Sequence, residues 1–232
     1  MSFFSTSKFQ FERTRTIRNY VYCEARLSLR SRILEVGSGD GPVAEEMAAR
    51  TGRTVLALDR APVRARPGVF RVMGDAHGLP FPSGSLSAVA FHFCLLWLRD
   101  PVASLRETRR VLGPGGAVLI LSEPDLARRV EVPETGLGTL LAGAIRAAGG
   151  EPEAGRQVAG WLREAGFRPR LRETPPAPVA VGDPAELLHE AVFLESLGFD
   201  LGSVRGRIGS IYGAGKRVCI QLPLAYGWAV RE

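Results

Sequence analysis

Five short apolar runs, at residues 32–36, 54–58, 70–73, 88–93 and 117–122, punctuate the first half of this 232-residue chain, and helical segments fill most of the gaps. Runs this short, without polar alternation, mark strands buried on both faces, the condition of a parallel sheet. Parallel strands need crossover connections, and right-handed crossovers put helices on both faces of the sheet. The clearest crossover helices are 43–50 and 102–112, whereas 61–68 carries Pro62 and Pro67 and can hold a turn or two at most. The alternation predicts a doubly wound α/β fold.

Beyond Pro124 the pattern loosens. Residues 134–148 and 153–165 read as helices parted by Gly149 and Gly150, 167–173 as a strand, and TPPAPVAVGDP as a proline-rich loop. A helix over 185–196 opens with Asp183 as cap and Pro184 in its first turn. Residues 217–230 read as a strand or two, interrupted by Pro223 and Gly227. Ahead of the first run, 8–29 has helical character, with Phe9, Ile17, Tyr20, Val21 and Leu27 on an imperfect apolar face. There is no internal repeat or obvious linker, so a single domain is the simplest count.

Hydrophobic residues make up 45% of the chain and charged residues 23%, enough to bury a substantial core. The longest apolar stretch, near 88–98, is broken by His92 and is too short to span a bilayer. The N-terminus lacks the basic-then-apolar order of a secretion signal, which points to the cytoplasm. Cys23, Cys94 and Cys219 lie far apart and signal neither a disulfide framework nor a zinc site. The net charge of +6 is carried almost wholly by arginine, Lys8 and Lys216 being the only lysines. Acids interleave with several arginine groups, which fits a solvated surface better than a dense nucleic-acid footprint.

Residues 33–44 read ILEVGSGDGPVA. A glycine-rich turn between strand and helix lets backbone approach a ligand closely and offers it free N–H groups. In the dinucleotide fingerprint a third glycine follows two spacers and allows close helix–strand packing. Here the glycines are Gly37, Gly39 and Gly41, and Pro42 stands at the third-glycine position. With Glu35 at its entrance, the turn suits a cationic ligand better than a pyrophosphate, which disfavours an NAD(P) oxidoreductase.

This stretch resembles the first motif of class I S-adenosylmethionine-dependent methyltransferases. Asp59 closes the second strand in VLALDRA, GDAHGLPFPSGSLSAVAF follows, and ETRRVLGPGGAVLI leads into the fifth strand, all in that family's order over about 32–123. The closest likeness is to the small-molecule and quinone-type, type 11-like subgroup. Ser87, where aspartate is frequent, and Leu96, where histidine is frequent, depart from it.

The resemblance implies a Rossmann-like, mostly parallel seven-stranded sheet with helices on both faces and an antiparallel last strand. It divides the single domain into an N-terminal lid helix (8–30), a donor-binding core (31–123), acceptor-side helices with an insertion (124–216) and a terminal strand (217–232). It implies S-adenosylmethionine as methyl donor, S-adenosylhomocysteine as product and no metal. The donor would be held by Glu35, Gly37, Ser38, Gly39, Gly41, Asp59, Arg60, Asp75, Ala76 and Phe91. Asp59 would take the ribose hydroxyls, and Asp75 with Ala76 the adenine.

Ligands in such sheets sit at the carboxyl ends of the strands. There His92 is the candidate catalytic base, weighed against a satisfied polar residue at a strand end. Tyr20 and Glu123 are candidate acceptor-side residues, with Arg13 a further contact. Asp125 reads as a solvated loop acid, His77 and His189 as surface or packing residues, and Phe93 and Trp97 as core. The acceptor expected is a small molecule. An RNA acceptor, or a donor-binding protein without activity, are the alternatives, and the oligomeric state is open.

Overall fold

A computed structural model describes residues 10–61, 65–175, 179–181 and 184–231. The chain forms α1 (Arg15–Glu24), β1 (Ile33–Val36), α2 (Pro42–Thr51), β2 (Val55–Asp59), β3 (Val69–Met73), β4 (Leu86–His92), α3 (Pro101–Val111) and β5 (Leu112–Pro124). The second half adds β6 (Val130–Val132), α4 (Leu137–Ala147), α5 (Ala154–Glu164), β7 (Arg168–Glu173), β8 (Val179–Val181), α6 (Pro184–Ser196), α7 (Gly202–Gly213), β9 (Val218–Gln221) and β10 (Leu224–Val230).

Seven strands join in the order β3-β2-β1-β4-β5-β10-β7. The five from β1 to β5 are parallel, and β10 runs antiparallel to both β5 and β7, as expected of the last strand. β1 lies inside the sheet between β2 and β4, with Glu35 opposite Ala57 of β2 and Ala90 of β4, and all four of its residues are buried. Successive residues point to opposite faces, so the strands feed two cores. Leu34, Val36, Val89, Phe91 and Ile120 pack under α3 and α5, while Ile33, Val55, Ala88, Ala90 and Leu119 pack under α1 and α2.

Local chemistry sets the helix ends. Gly41 at φ 75° precedes α2, Pro42 occupies its first turn, and Gly52 at φ 65° ends it. Asp100 caps α3 by accepting from the Ala103 N–H at 2.8 Å, again with proline at the first position.

Several expectations are redrawn. The N-terminal helix is interrupted at Thr14 (φ −94°, ψ 8°), and a short 3-10 turn follows at Leu27–Leu29. Lys8, Phe9, Pro62 and the capping Asp183 lie outside the described residues. Strand β5 begins at Leu112, five residues earlier than its apolar run. Pro223 splits the last stretch, sending β9 into a second, three-stranded sheet ordered β6-β9-β8.

The segment from 124 to 216 also divides. Helix α5 and strand β7 return to the main sheet, whereas α4, α6, α7 and the small sheet enclose a core of their own, including Leu137, Val181, Leu187, Leu194, Ile208 and Val218. In this lobe α4 and α6 answer to the helices expected at 134–148 and 185–196, whereas β6 and β8, with three residues each, and α7, with Gly206 and Gly209 in its interior, left no readable period. No helix among the described residues is long and apolar enough to cross a membrane.

Candidate active site

The carboxyl ends of β1, β2 and β4 converge on the glycine turn. Gly37 is left-handed (φ 68°), and a Cβ there would overlap the Cys94 Sγ just beyond β4, so only glycine fits. Gly39 is also left-handed (φ 50°), yet a Cβ on it would meet nothing within 4 Å. One side of the turn is thus closed against protein and the other faces open space. Ser38 is buried beneath it, its N–H reaching the Leu58 carbonyl at 3.1 Å.

Asp59 stands across from the turn. Its carboxylate accepts from the Gly39 N–H at 2.8 Å and the Ala61 N–H at 3.0 Å. A carboxylate offers about four lone-pair sites, so two stay available for a vicinal diol. Asp75 accepts from the His77 backbone N–H at 2.9 Å, and its Oδ1 lies 2.7 Å from the His77 ring Nδ1. These bonds, the backbone one foremost, hold Asp75 below the usual carboxylate range. Ala76 is buried under it and Arg60 is exposed nearby. His77, read as a surface or packing residue, is thus the partner of Asp75.

Glu35 is buried, and its Oε2 has no hydrogen-bond partner. Burial pushes its carboxyl up to about 8, opposed chiefly by the Ala44 N–H in the first turn of α2 and raised further by Asp59. An orphaned carboxyl oxygen beside an open crevice fits a ligand that brings positive charge or a donor group.

His92 closes β4. Its Nε2 lies 2.9 Å from the Thr14 hydroxyl, which donates to the Gln10 carbonyl at 2.6 Å and accepts from Arg18 Nη1 at 2.8 Å. With its single proton given to Gln10, the Thr14 oxygen can only accept from the ring, which makes His92 the Nε2–H tautomer with a free lone pair on Nδ1. Burial, and then the Arg18 charge, pull His92 down to about 3. The ring is therefore neutral throughout the physiological range and a weak base.

Arg18 is wholly buried and binds Glu46 of α2 through Nε at 2.6 Å, donates to the Phe11 carbonyl, and lies 4.0 Å from the Phe11 ring centroid. Tyr22 donates to the same Glu46 at 3.1 Å. None of Thr14, Arg18 and Glu46 stood out in the sequence, where nothing local joins positions 14 and 92. A buried arginine one turn beyond a threonine is the only trace they leave.

Three site readings need correction. Glu123 does not face an acceptor: it is fully buried, and its carboxylate accepts from the backbone N–H groups of Cys94 (2.9 Å), Leu95 (3.0 Å) and Leu96 (3.4 Å), bracing the turn after β4. Asp125 is likewise buried, paired with Arg156 at 2.7 Å and Arg128 at 2.9 Å rather than solvated. The Phe91 side chain lies in the core under α3 and α5, not in the crevice. Tyr20, two residues and so about 200° around the helix from Arg18, packs edge-on against Tyr226 at 5.7 Å with Arg172 over its ring.

Arg13 pairs with Glu186 of α6 at 3.1 Å, and Trp97 packs edge-on against Phe193 of the same helix. Ser87 replaces the expected aspartate by accepting from the Ser31 and Arg32 N–H groups, both at 3.0 Å, and so fastens the start of β1. Leu96 is buried in the turn braced by Glu123.

Comparison with known proteins agrees with this geometry. Residues 34–120 match the family model described as a methyltransferase domain. Over 95 residues (38% of this chain and 40% of the relative) the chain is 36% identical to a demethylmenaquinone methyltransferase of Renibacterium salmoninarum. Over 126 residues (47% of the chain and 50% of the relative) it is 31% identical to a ubiquinone/menaquinone biosynthesis C-methyltransferase of Coxiella burnetii. The chain thus spans half or less of the length of these relatives. Among solved structures, a Bacillus halodurans C-125 protein ascribed to the methyltransferases superposes with a TM-score of 0.66 at 16% identity, covering 92% of this chain and 98% of that one. The matched segment, from β1 into β5, is a methyltransferase domain of the class I S-adenosylmethionine-dependent family.

Proposed function

We propose that the chain transfers a methyl group from S-adenosylmethionine to a small organic acceptor. One observation carries this reading: the open side of Gly39 lies directly across from Asp59, with Asp75 and Ala76 following the next strand. In this assignment Asp59 receives the ribose hydroxyls, Asp75 and Ala76 border the adenine, and Gly37, Ser38, Gly39 and Gly41 give the backbone its close approach, with Arg60 at the rim. Glu35 lies under the turn, where a cation in the crevice would stabilise its charged form.

When bound, the donor supplies an electrophilic methyl, and displacement in line requires the acceptor atom to be held on the axis. His92 serves that alignment by accepting a hydrogen bond at Nδ1, rather than by carrying off the proton, since its basicity is low. Thr14 fixes the tautomer that leaves Nδ1 available. The N-terminal segment covers this corner, joined to β4 through Thr14 and to the lobe through Arg13. The single-domain organisation and a cytoplasmic location belong to the same proposal, as does an acceptor pocket bounded by the lobe. Quinone-type acceptors are the class suggested by the two relatives.

Titration calorimetry with S-adenosylhomocysteine tests the donor half: binding to the wild type and a loss of about tenfold or more in Asp59→Ala, the weight of one to two strong hydrogen bonds. No binding to the wild type refutes it. The acceptor half is tested by labelled-methyl transfer to small-molecule and RNA fractions of a cell extract. Incorporation into the first is expected, and incorporation into RNA alone overturns the acceptor class. With an acceptor in hand, Thr14→Val should lower turnover while leaving S-adenosylhomocysteine affinity unchanged, and Thr14→Ser should restore it. Full turnover in Thr14→Val refutes the tautomer role.

A further inference from the structure

At the opposite end of the sheet from the glycine turn, an open cavity of about 610 Å3 lies between the end of α1 and strands β7 and β10. Arg26, Arg30, Arg168 and Arg170 line it, with Glu24 the single acid and Trp228 in its wall. In the β7–β10 pairing Arg170 stands opposite Trp228 and Arg168 opposite Val230, so both arginines rise on the face that the end of α1 covers.

Three features of this cavity are costly as they stand. Arg30 is half-buried, and its guanidinium meets only neutral carbonyls, those of Gly115 at 2.7 Å and of Ser87 and Ala25 at 3.3 Å. Neither it nor Arg26 nor Arg170 forms an ion pair among the described residues, so a partly desolvated charge goes uncompensated. Burial, and then the Arg26 charge beside it, draw Arg30 below the ordinary arginine value. Arg26 itself takes a left-handed backbone (φ 52°), where a side chain is strained. Arg30 fastens the end of α1 to β4 and β5, whereas no hydrogen bond or ion pair among the described residues engages the side chains of Arg26 and Arg170, and like charges crowded at an open cavity are what an anionic ligand would relieve.

We propose that this cavity is a second ligand site, for a phosphate ester. Four arginines facing one glutamate outweigh a single carboxylate ligand, whereas a phosphate group carries more charge and three acceptor oxygens that match the guanidinium fork. The group can arrive on a free phosphorylated metabolite or as part of an RNA backbone, and the experiment separates the two.

The full-length protein is titrated calorimetrically with inorganic pyrophosphate and with a twelve-nucleotide single-stranded RNA, each with and without saturating S-adenosylhomocysteine. Pyrophosphate is expected to saturate one site whether or not the other ligand is present. The exposed double variant Arg26→Gln/Arg170→Gln is expected to lose about tenfold or more in that affinity while its thermal transition and S-adenosylhomocysteine affinity stay put. An RNA source shows as tighter binding than pyrophosphate, with log K falling against log salt at a slope of about −2, the value for three phosphate contacts on a single strand. RNA binding no tighter than pyrophosphate assigns the site to a free phosphorylated molecule. Absence of saturable binding by both probes, or equal affinity in the double variant, overturns the proposal.

Discussion

Gly37→Ala and Gly39→Ala are the same chemical change two residues apart, and the structure assigns them opposite consequences. At Gly37 the new methyl costs about 1–2 kcal/mol for a left-handed alanine, and its overlap with the buried Cys94 side chain adds about 1–3 kcal/mol of overpacking. The sum, about 2–5 kcal/mol, corresponds to a fall in Tm of several degrees to more than ten for a chain of this size. Cys94→Ala would not rescue it, because the Cys94 Cβ itself would stand 2.9 Å away. Cys94→Gly removes both atoms and leaves the Cα at an ordinary 3.9 Å. The double variant Gly37→Ala/Cys94→Gly should therefore recover the packing part and keep the backbone part, a coupling of about 1–3 kcal/mol in urea unfolding. Gly39→Ala carries the backbone part alone, since nothing surrounds it, but places its methyl where the donor would lie. Its stability should fall by about 1–2 kcal/mol, while S-adenosylhomocysteine affinity drops by tenfold or more. Additive effects of Gly37→Ala and Cys94→Gly would show that the overlap does not govern the turn. Unchanged affinity in Gly39→Ala would show that the open side of the turn is not the binding side.

Arg18→Met leaves Glu46 and Thr14 without their buried partner and should cost about 3 kcal/mol in urea unfolding, near the lower end for breaking a buried pair because Glu46 keeps 16% exposure. In Arg18→Met/Glu46→Gln much of that loss should return, and a double variant no more stable than the single one refutes the pairing. Glu35 keeps its proton up to about 8 when folded but releases it near 4.5 when unfolded, so the unfolded state binds fewer protons in between and stability falls as pH rises through that window. Glu35→Gln should remove up to about 1.4 kcal/mol of decline per pH unit, best read by urea unfolding between about pH 6.5 and 7.5, above the range in which His92 acts in the opposite sense; an unchanged slope refutes the raised carboxyl. Glu123→Gln, which turns one acceptor oxygen into a donor against the Leu96 N–H, should destabilise by about 1–3 kcal/mol, and wild-type stability would mean that the bracing of the turn is redundant.

What the sequence disclosed and what it concealed divide along a physical line. β1, the glycine turn, β2 and Asp59 form one local βαβ unit, in which apolar runs, Pro42 and left-handed glycines leave direct marks in the chain. The same holds for α3, expected over 102–112 and found at Pro101–Val111. Side-chain destination is a different matter. Glu123 and Asp125 look like loop acids because they stand at a strand end, yet one braces three N–H groups 27 to 29 residues distant and the other pairs with Arg156, 31 residues on, as well as with nearby Arg128. Phe91 and His92 are neighbours on β4, and pleating sends the first into the core and leaves only the second at the crevice. Outside α4 and α6 the lobe was illegible for a further reason: its sheet joins β6, β8 and β9 across segments up to 91 residues apart, so no one segment carries its pattern.

The N-terminal segment is where these two kinds of information meet. Arg13 reaches α6 of the lobe, Thr14 reaches His92 on β4, and Arg18 reaches Glu46 on α2. Three contacts from six consecutive residues thus join the lobe, the strand end and the helix that follows the glycine turn. The helical bonds continue across the irregular backbone of Thr14, from its N–H to the Gln10 carbonyl at 3.1 Å and from the Arg18 N–H to its own carbonyl at 2.9 Å, so the hydroxyl back-bonds to Gln10 and still accepts from His92 and Arg18. Because Arg18 depresses His92 while anchoring Glu46, displacement of the segment would alter the basicity of the ring and the footing of α2 together. In the proposed reaction, the segment that covers the acceptor corner is therefore also the one that sets its hydrogen bonding.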